Sequence, residues 1–403
     1  MMVFNGKHIL LGVTGSIAAY KAADIASKLT QAGAQIDVVL TEAAQKFIAP
    51  ITFQSITGRR AYTDADLWGS EAHVLHVGLA KTAELLVIAP CTADTLAKLT
   101  HGNADNLLTI TALASTCPLL IAPAMDGGMF AHPATQVNLA TLRERGATIV
   151  GPAQGHLASG SSGIGRMLEP FEILGHIRLL LGSKGSLAGR NVVVTAGGTQ
   201  EPLDPIRVLT NRSSGKQGYA IAQAALDAGA HVVLVSGPTD LEAPIGARLV
   251  NVQTVEQMME GVLTACVGAH ALVMAAAAAD FRTKHTAKNK LKRRDGVPKL
   301  EFESAPDILK AVTALETDNG RPRLVVGFAA ESQDLIQNAT EKLKSKKLDL
   351  IVANDISDPN SGFGSDFNRV TLLFPDGKKE EFPLMSKSEV AEAVIAQVAR
   401  MLG

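Results

Sequence analysis

Residues 192–220, VVVTAGGTQEPLDPIRVLTNRSSGKQGYA, decide how this chain is read. A β-branched run, Val192-Val193-Val194, opens directly into Gly197-Gly198-Thr199, and a second turn of small residues, Ser213-Ser214-Gly215-Lys216, leads into an alanine-rich helix. Branched side chains favour an extended strand, glycine lets the backbone come close to a ligand, and the first N–H groups of a helix have no partner of their own. Strand, glycine turn and helix start together predict an anion site, with phosphate the best-matched anion. Neither usual fingerprint is present: there is no G-x-G-x-x-G, and Gly215-Lys216 runs into Gln217 rather than the Ser or Thr of a P-loop. Gly-Gly-Thr alone would suit a tight turn in any α/β sheet; the second turn close behind favours a phosphate-bearing ligand.

Outward from that stretch the chain keeps alternating. Short apolar runs at 8–13, 36–40, 85–89, 118–122, 192–195, 231–236, 271–274, 324–328 and 348–353 predict strands covered on both faces, with helical segments between them. This is the pattern of parallel sheets with crossover helices, an α/β fold. Both halves open alike, with strand, glycine turn, helix and then Ala32-Gly33-Ala34 or Ala228-Gly229-Ala230, each glycine where a helix C-cap belongs. That is shared architecture rather than a duplicated sequence. The run LGSKGS at 181–186 predicts a flexible seam just before the second opening strand.

Length and composition agree with two cores. At 403 residues the chain suggests about two or three domains. Hydrophobic residues make up 46 %, enough for large cores, and a net charge of −1 supplies no global field toward nucleic acid or membrane. Cys91, Cys117 and Cys266 are scattered without metal spacing, as reduced cytoplasmic thiols are. No apolar run approaches the roughly 18 residues of a membrane span. The start, MMVFNGKHILLGVTG, resembles a signal peptide only superficially, because Gly12 interrupts the apolar run and the segment continues as turn and helix. A cytoplasmic protein without nucleic-acid or membrane partners is expected.

The motif TAGGTxEPLDPxR followed by NxSSGKxG resembles the ligase half of the bifunctional phosphopantothenoylcysteine decarboxylase/phosphopantothenate–cysteine ligases of coenzyme A synthesis. The other half has its own motifs. Residues 12–18 turn out of the first strand into a helix on which Ile25 and Leu29 share a face, and small polar clusters at Thr41 and 89–95 follow later strands. In a doubly wound sheet these strand ends converge on a ligand. TGSIAAYK, APCTADTLAK, GNADNLLT and PAMDGGM are together similar to the flavin-containing cysteine decarboxylases, over nearly all of residues 6–180. The resemblance implies two doubly wound Rossmann-like domains: a flavodoxin-like flavoprotein domain at 1–189 and a nucleotide-binding ligase domain at 190–403.

For the first half the resemblance implies FMN at Gly15, Ser16, Thr41, Thr92 and Asn106. His76 holds the position of the catalytic base, with an intrinsic pKa suited to that role. Without its motif it would be an ordinary core or surface histidine, as His73 is expected to be. Met129 and Arg166 fall where substrate is held. Asp126 stands where the family has Asn, and Ser159 where it has a cysteine proton donor. A serine hydroxyl is a weak acid, so the donor role is expected to pass to a protonated Asp126, whose carboxyl would be raised by burial and the substrate carboxylate. The chemistry needs a flavin: a cysteine carboxylate has nowhere to leave its electrons until the adjacent CH2–SH is oxidised.

For the second half the resemblance implies CTP and an acyl-cytidylate that cysteine's amine attacks. Gly198, Ser213, Ser214 and Gly215 would hold phosphates, with Mg2+ arriving on the triphosphate and no direct metal ligands assigned. Met274, Ala275, Ala276, Asp280, Pro306, Asp307, Ile308, Leu309 and Phe328 would line the nucleotide. Asn211 would stabilise the acyl-cytidylate and Arg207 hold the anionic substrate. Between 282 and 299 lie eight Lys or Arg against one acid, Asp295. Such a run is usually a solvated face, and it lacks the aromatic interleaving of a nucleic-acid patch. Here Lys290 falls on the family's mobile lysine flap. Lys342 and Lys346 share a helix face at i, i+4 and would reach the triphosphate; a plain surface helix is the alternative.

The implied activity is ligation of cysteine to 4'-phosphopantothenate followed by FMN-dependent decarboxylation to 4'-phosphopantetheine. The implied assembly is a homo-oligomer, a dodecamer of decarboxylase trimers joined through ligase dimers. The rivals are a decarboxylase half that stops at the oxidised enethiol, and a regulatory flavin-binding protein.

Overall fold

The computed structural model describes residues 2–68, 74–158, 160–293, 296–316, 320–331, 333–355 and 364–403. The expectations placed on His73 and Ser159 lie outside these residues. The chain divides into two units, Met1–Leu181 and Gly182–Gly403.

In the first unit β1 (His8–Val13), β2 (Gln35–Leu40), β3 (Ala61–Tyr62), β4 (Leu85–Cys91), β5 (Leu119–Pro123) and β6 (Thr148–Ile149) form one parallel sheet, ordered β3-β2-β1-β4-β5-β6. Without the two-residue β3 this is the flavodoxin-like order, with its switch point between β1 and β4. Successive strand side chains point to opposite faces. Ile9, Leu11 and Val13 therefore share one core with Ile25 and Leu29 of α1 (Ala19–Gln31). Leu10 joins the other core with side chains from α3 (Leu75–Thr82), α4 (Ala93–His101), α5 (Leu107–Ala114) and α7 (Pro133–Glu144). Between these lie α2 (Pro50–Thr57) and α6 (Gly127–Ala131), and α8 (Pro170–Gly182) closes the first core. An antiparallel hairpin, β7 (Ala153–His156) with β8 (Ser162–Arg166), stands apart from the sheet.

In the second unit the sheet runs β13-β12-β9-β14-β17-β18-β20-β21. Its parallel part is β9 (Asn191–Ala196), β12 (His231–Ser236), β13 (Arg248–Asn251), β14 (Ala271–Met274), β17 (Leu324–Glu331) and β18 (Leu350–Asp355). β20 (Val370–Leu373) and β21 (Lys379–Glu381) extend it antiparallel. The switch point lies between β9 and β14. Small hairpins pair β10 (Gln200–Asp204) with β11 (Arg207–Thr210) and β15 (Phe281–Thr283) with β16 (Phe302–Ser304), and β19 (Phe367–Asn368) pairs β22 (Met385–Ser386). α9 (Lys216–Asp227) packs on α13 (Lys387–Leu402). α10 (Val255–Cys266), α11 (Ile308–Thr313) and α12 (Leu335–Ser345) contribute to the buried core that holds Val193, Leu272 and Val325.

Gly33 (φ 90°) and Gly229 (φ 89°) lie just past α1 and α9 in the left-handed region. The following amides, Ala34 to Leu29 O and Ala230 to Ala225 O, both at 3.0 Å, close the helix ends as Schellman motifs do. The 181–186 run is not a loose seam. A Cβ on Gly182 or Gly185 would lie 2.5 Å from the Asp227 or Ala228 carbonyl oxygen, and Leu187 N–H bonds Ala228 O at 2.7 Å. These glycines serve close backbone packing against the end of α9, and residues 182–189 belong with the second unit.

Candidate functional site

Toward the carboxyl ends of β14, β17 and β18 lies a cavity of about 460 Å³. Ser213, Ser214 and Gly215 form one side. Gly215 (φ 76°) starts α9 in the left-handed region with no side chain capping the helix, so its first amides are open to an anion. Met274 to Asp280 form another part of the wall, and its backbone is held by two fully buried threonines. Thr195 Oγ1 accepts the Ala276 N–H at 3.0 Å and donates to Met274 Sδ at 3.3 Å; Thr199 Oγ1 accepts the Ala279 N–H at 2.9 Å.

The Gly-Gly-Thr turn is therefore not in the cavity. Ala277 N–H bonds Gly197 O at 2.9 Å and Thr199 N–H bonds Ala277 O at 3.4 Å, so the turn supports the wall from behind. Gly198, expected at phosphate, is not among the lining residues. Asn211 is likewise beside the wall, its Nδ2 donating to Ala277 O at 3.1 Å and Ala278 O at 3.2 Å.

Met274, Ala275, Ala276, Asp280, Pro306, Asp307, Ile308, Leu309, Phe328, Lys342 and Lys346 are brought together in the lining. Lys342, on α12, donates to Phe328 O at 2.8 Å, and Lys346, at its C-cap, pairs with Asp307. Burial would raise the Asp307 carboxyl, but Lys346, the Lys310 N–H and the Lys310 charge outweigh it and hold the group below its usual value. Lys290 is exposed and outside the lining, and Arg207 is bonded to the backbone of Leu291.

Sequence reading missed a further part of the lining. Lys387 is buried there, at the start of α13, donating to Ser365 O at 2.5 Å. Burial first, and then Lys216, pushes its ammonium below the usual lysine range, against the opposing pull of Asp366. Lys216 bonds Asp366 at 2.6 Å, and Asn368 Nδ2 donates to Gln217 at 2.9 Å. Asn354 Oδ1 is buried without a hydrogen-bond partner among the described residues. No local signal marks these positions, because the sheet order alone carries Asn354, Asn368 and Lys387 to the start of α9.

The first unit has a cavity of about 540 Å³ lined by Ser16, Ile17, Tyr20, Lys21, Met125, Asp126, Leu157, Arg166 and Met167, among others. It brings Ser16, Asp126 and Arg166 together. Asp126 caps α6, its Oδ1 accepting the Gly128 N–H at 2.9 Å. Asp and Asn cap equally well, so this substitution keeps the local backbone. Lys21, buried and missed as a site residue though it ends TGSIAAYK, donates to Met167 O and Glu169 at 3.0 Å each, and Glu169 also pairs with Arg166. Gly15, Thr41, Thr92, Asn106, His76 and Met129 are not in this lining. Thr92 and Asn106 cap α4 and α5, and Thr41 Oγ1 accepts the Ala44 N–H at 3.3 Å. His76 is half-buried on α3, and Met129 is 51 % exposed.

Among the described residues no three His, Cys, Asp or Glu side chains cluster to hold a metal, and no helix is long and apolar enough to cross a membrane.

Residues 187–402 match the family described as "DNA/pantothenate metabolism flavoprotein C-terminal domain", and residues 4–182 match the "Flavoprotein" family. The "Coenzyme A biosynthesis bifunctional protein CoaBC" of Bacillus subtilis (strain 168) is 42 % identical over 402 residues, 99 % of this chain and 98 % of the relative. The protein of that name from Mycobacterium tuberculosis (strain CDC 1551 / Oshkosh) is 41 % identical over 408 residues, covering 98 % and 97 %. A crystal structure of the C-terminal domain of a bifunctional protein CoaBC aligns with TM-score 0.46 and 37 % identity over 54 % of this chain and 98 % of its own. One of the FMN-dependent cysteine decarboxylase SpaF aligns with TM-score 0.39 and 33 % identity over 44 % of this chain and 97 % of its own.

Proposed function

The chain belongs to the family of coenzyme A biosynthesis bifunctional proteins, and on that premise we propose that it carries out two successive reactions of that pathway. The second unit joins cysteine to 4'-phosphopantothenate using CTP, and the first unit decarboxylates the cysteinyl product to 4'-phosphopantetheine with FMN.

A carboxylate is a poor electrophile until it carries a leaving group. Attack of the phosphopantothenate carboxylate on CTP releases pyrophosphate and forms the acyl-cytidylate. The amine of cysteine then displaces CMP and forms the amide. The open start of α9 at Ser213, Ser214 and Gly215 receives phosphate, Lys342 and Lys346 oppose its charge, and Mg2+ accompanies the triphosphate. Lys290 acts from the basic loop on charge that grows during acyl transfer, where a positioned cation counts most.

The first unit's cavity suits a flavin. Ile17, Leu157 and Met167 offer apolar walls to a planar ring, and Ser16 stands before α1, where an anionic tail is favoured. Bound FMN supplies the two-electron oxidation beside the thiol that makes loss of carbon dioxide possible. His76 acts as base, Met129 and Arg166 hold the substrate, and Asp126 delivers the closing proton.

The observation that carries this reading is the gathering of the capless α9 start, Lys342 and Lys346 around one cavity. The test is product mass from phosphopantothenate, cysteine, CTP, Mg2+ and FMN. CTP-dependent amide, then a product short of carbon dioxide, is expected; no CTP-dependent amide refutes the ligase assignment. A product lacking two further hydrogens would show that the first unit stops at the enethiol. Lys290→Gln should slow amide formation roughly 10²–10³-fold, the usual cost of one such donor.

A further inference from the structure

Arg207, expected to hold an anionic substrate, has its guanidinium turned to the protein's own backbone. Asp204, at the end of β10, has a side chain closed to solvent. Its Oδ1 accepts the N–H groups of Ile206 and Arg207, both at 2.9 Å, which shapes the turn into β11. Its Oδ2 faces the basic loop and accepts the N–H of Leu291 at 3.1 Å. Arg207 lies alongside, with Nη1 3.6 Å from Asp204 Oδ2 and Nη2 donating to Leu291 O at 3.0 Å. One ion pair thus grips both backbone polar groups of Leu291, and Lys290 is the next residue. The loop's entry is bound to the same hairpin: Ala287 N–H bonds Leu203 O at 3.1 Å, and Thr286 Oγ1 bonds Pro202 O at 3.2 Å.

A segment this basic and exposed repels itself and has little apolar surface with which to stay closed. A buried carboxylate offsets that repulsion. Burial would raise the Asp204 carboxyl, but the N–H groups of Ile206, Leu291 and Arg207, with the Arg207 charge, hold it below its usual value, so it stays ionised at neutral pH. Arginine is suited to the partner role, since its rigid fork can meet a carboxylate and a carbonyl at once.

We propose that Asp204 and Arg207 form a backbone clamp that positions the Lys290 loop for ligation. Both are positioning residues that act through Leu291, and the proposal rests on Lys290 being the loop's ligation residue. Trypsin reads the clamp directly, because Lys288, Lys290, Lys292 and Arg293 are all cleavable sites within the loop. Full-length wild type, Asp204→Asn and Arg207→Gln are digested briefly under native conditions, with cut sites mapped by mass. Arg207 is 47 % exposed, so its variant keeps the test alive should Asp204→Asn fail to fold.

Losing a hydrogen bond to a charged group should raise cleavage at 288–293 by about tenfold or more, since proteolysis follows the open population. Ligation kcat should fall while KM for CTP stays within about twofold, because the nucleotide lining is untouched. Arg207→Lys keeps the charge but not the fork, and should not restore protection. Wild-type cleavage rates in folded Asp204→Asn and Arg207→Gln overturn the clamp. Raised cleavage with unchanged ligation overturns instead the role of Lys290, and with it the purpose of the clamp.

Discussion

Thr199→Val tests whether the cavity wall is held from behind. Thr199 is fully buried, and its hydroxyl oxygen takes the Ala279 N–H at 2.9 Å, with Ala279 itself only 9 % exposed. Valine has nearly the same shape, so little packing changes, but the Ala279 N–H loses its acceptor where water does not reach. An unsatisfied buried donor costs about 1–3 kcal/mol. At about 1.4 kcal/mol per decade this is roughly a five- to hundredfold gain in local opening of the wall. Hydrogen-exchange mass spectrometry on the intact protein would read this in peptides covering 275–280, with those of the first unit as internal control. Exchange should accelerate there by that factor, and KM for CTP should rise with it. Exchange in 275–280 within twofold of wild type would show that the threonine does not hold the wall.

Two further outcomes follow from the charged and thiol groups. Asp307 has a carboxyl held below its ordinary value of 3.8, so its contribution is fully present above that pH and is lost as pH falls through the lower folded value. The stability difference between wild type and Asp307→Asn should be flat near neutrality and shrink below about pH 4; for a part-exposed pair it should not exceed about 1 kcal/mol. A difference that grows on acidification contradicts the assignment. Burial pushes the Cys266 thiol up to about 12 from 9.0, and pushes Cys91 higher still. Because the thiolate is the reactive form, alkylation of Cys266 at pH 8 should be about a thousandfold slower in the native than in the unfolded protein. Prompt native labelling of either cysteine, followed by peptide mass analysis, would contradict that.

What the sequence determined by itself is the local structure and its order. Runs such as 8–13, 231–236 and 271–274 coincide with β1, β12 and β14, because an apolar β-branched run covered on both faces has few alternatives. Gly33 and Gly229 were legible because a left-handed helix end nearly demands glycine. Ser213, Ser214 and Gly215 were legible at the start of α9 because turn and helix are adjacent in the chain. The tertiary structure decided how those pieces are used. Gly-Gly-Thr at 197–199 reads as a phosphate turn but braces Ala277 and Ala279, since the residues it bonds lie about eighty positions on. Arg207 reads as a substrate cation but grips Leu291, and Lys387 enters the cavity from the far end of the chain. Hydrogen-bond and charge partners are chosen by proximity across the sheet, and a one-dimensional pattern carries periodicity and turn chemistry but not that proximity.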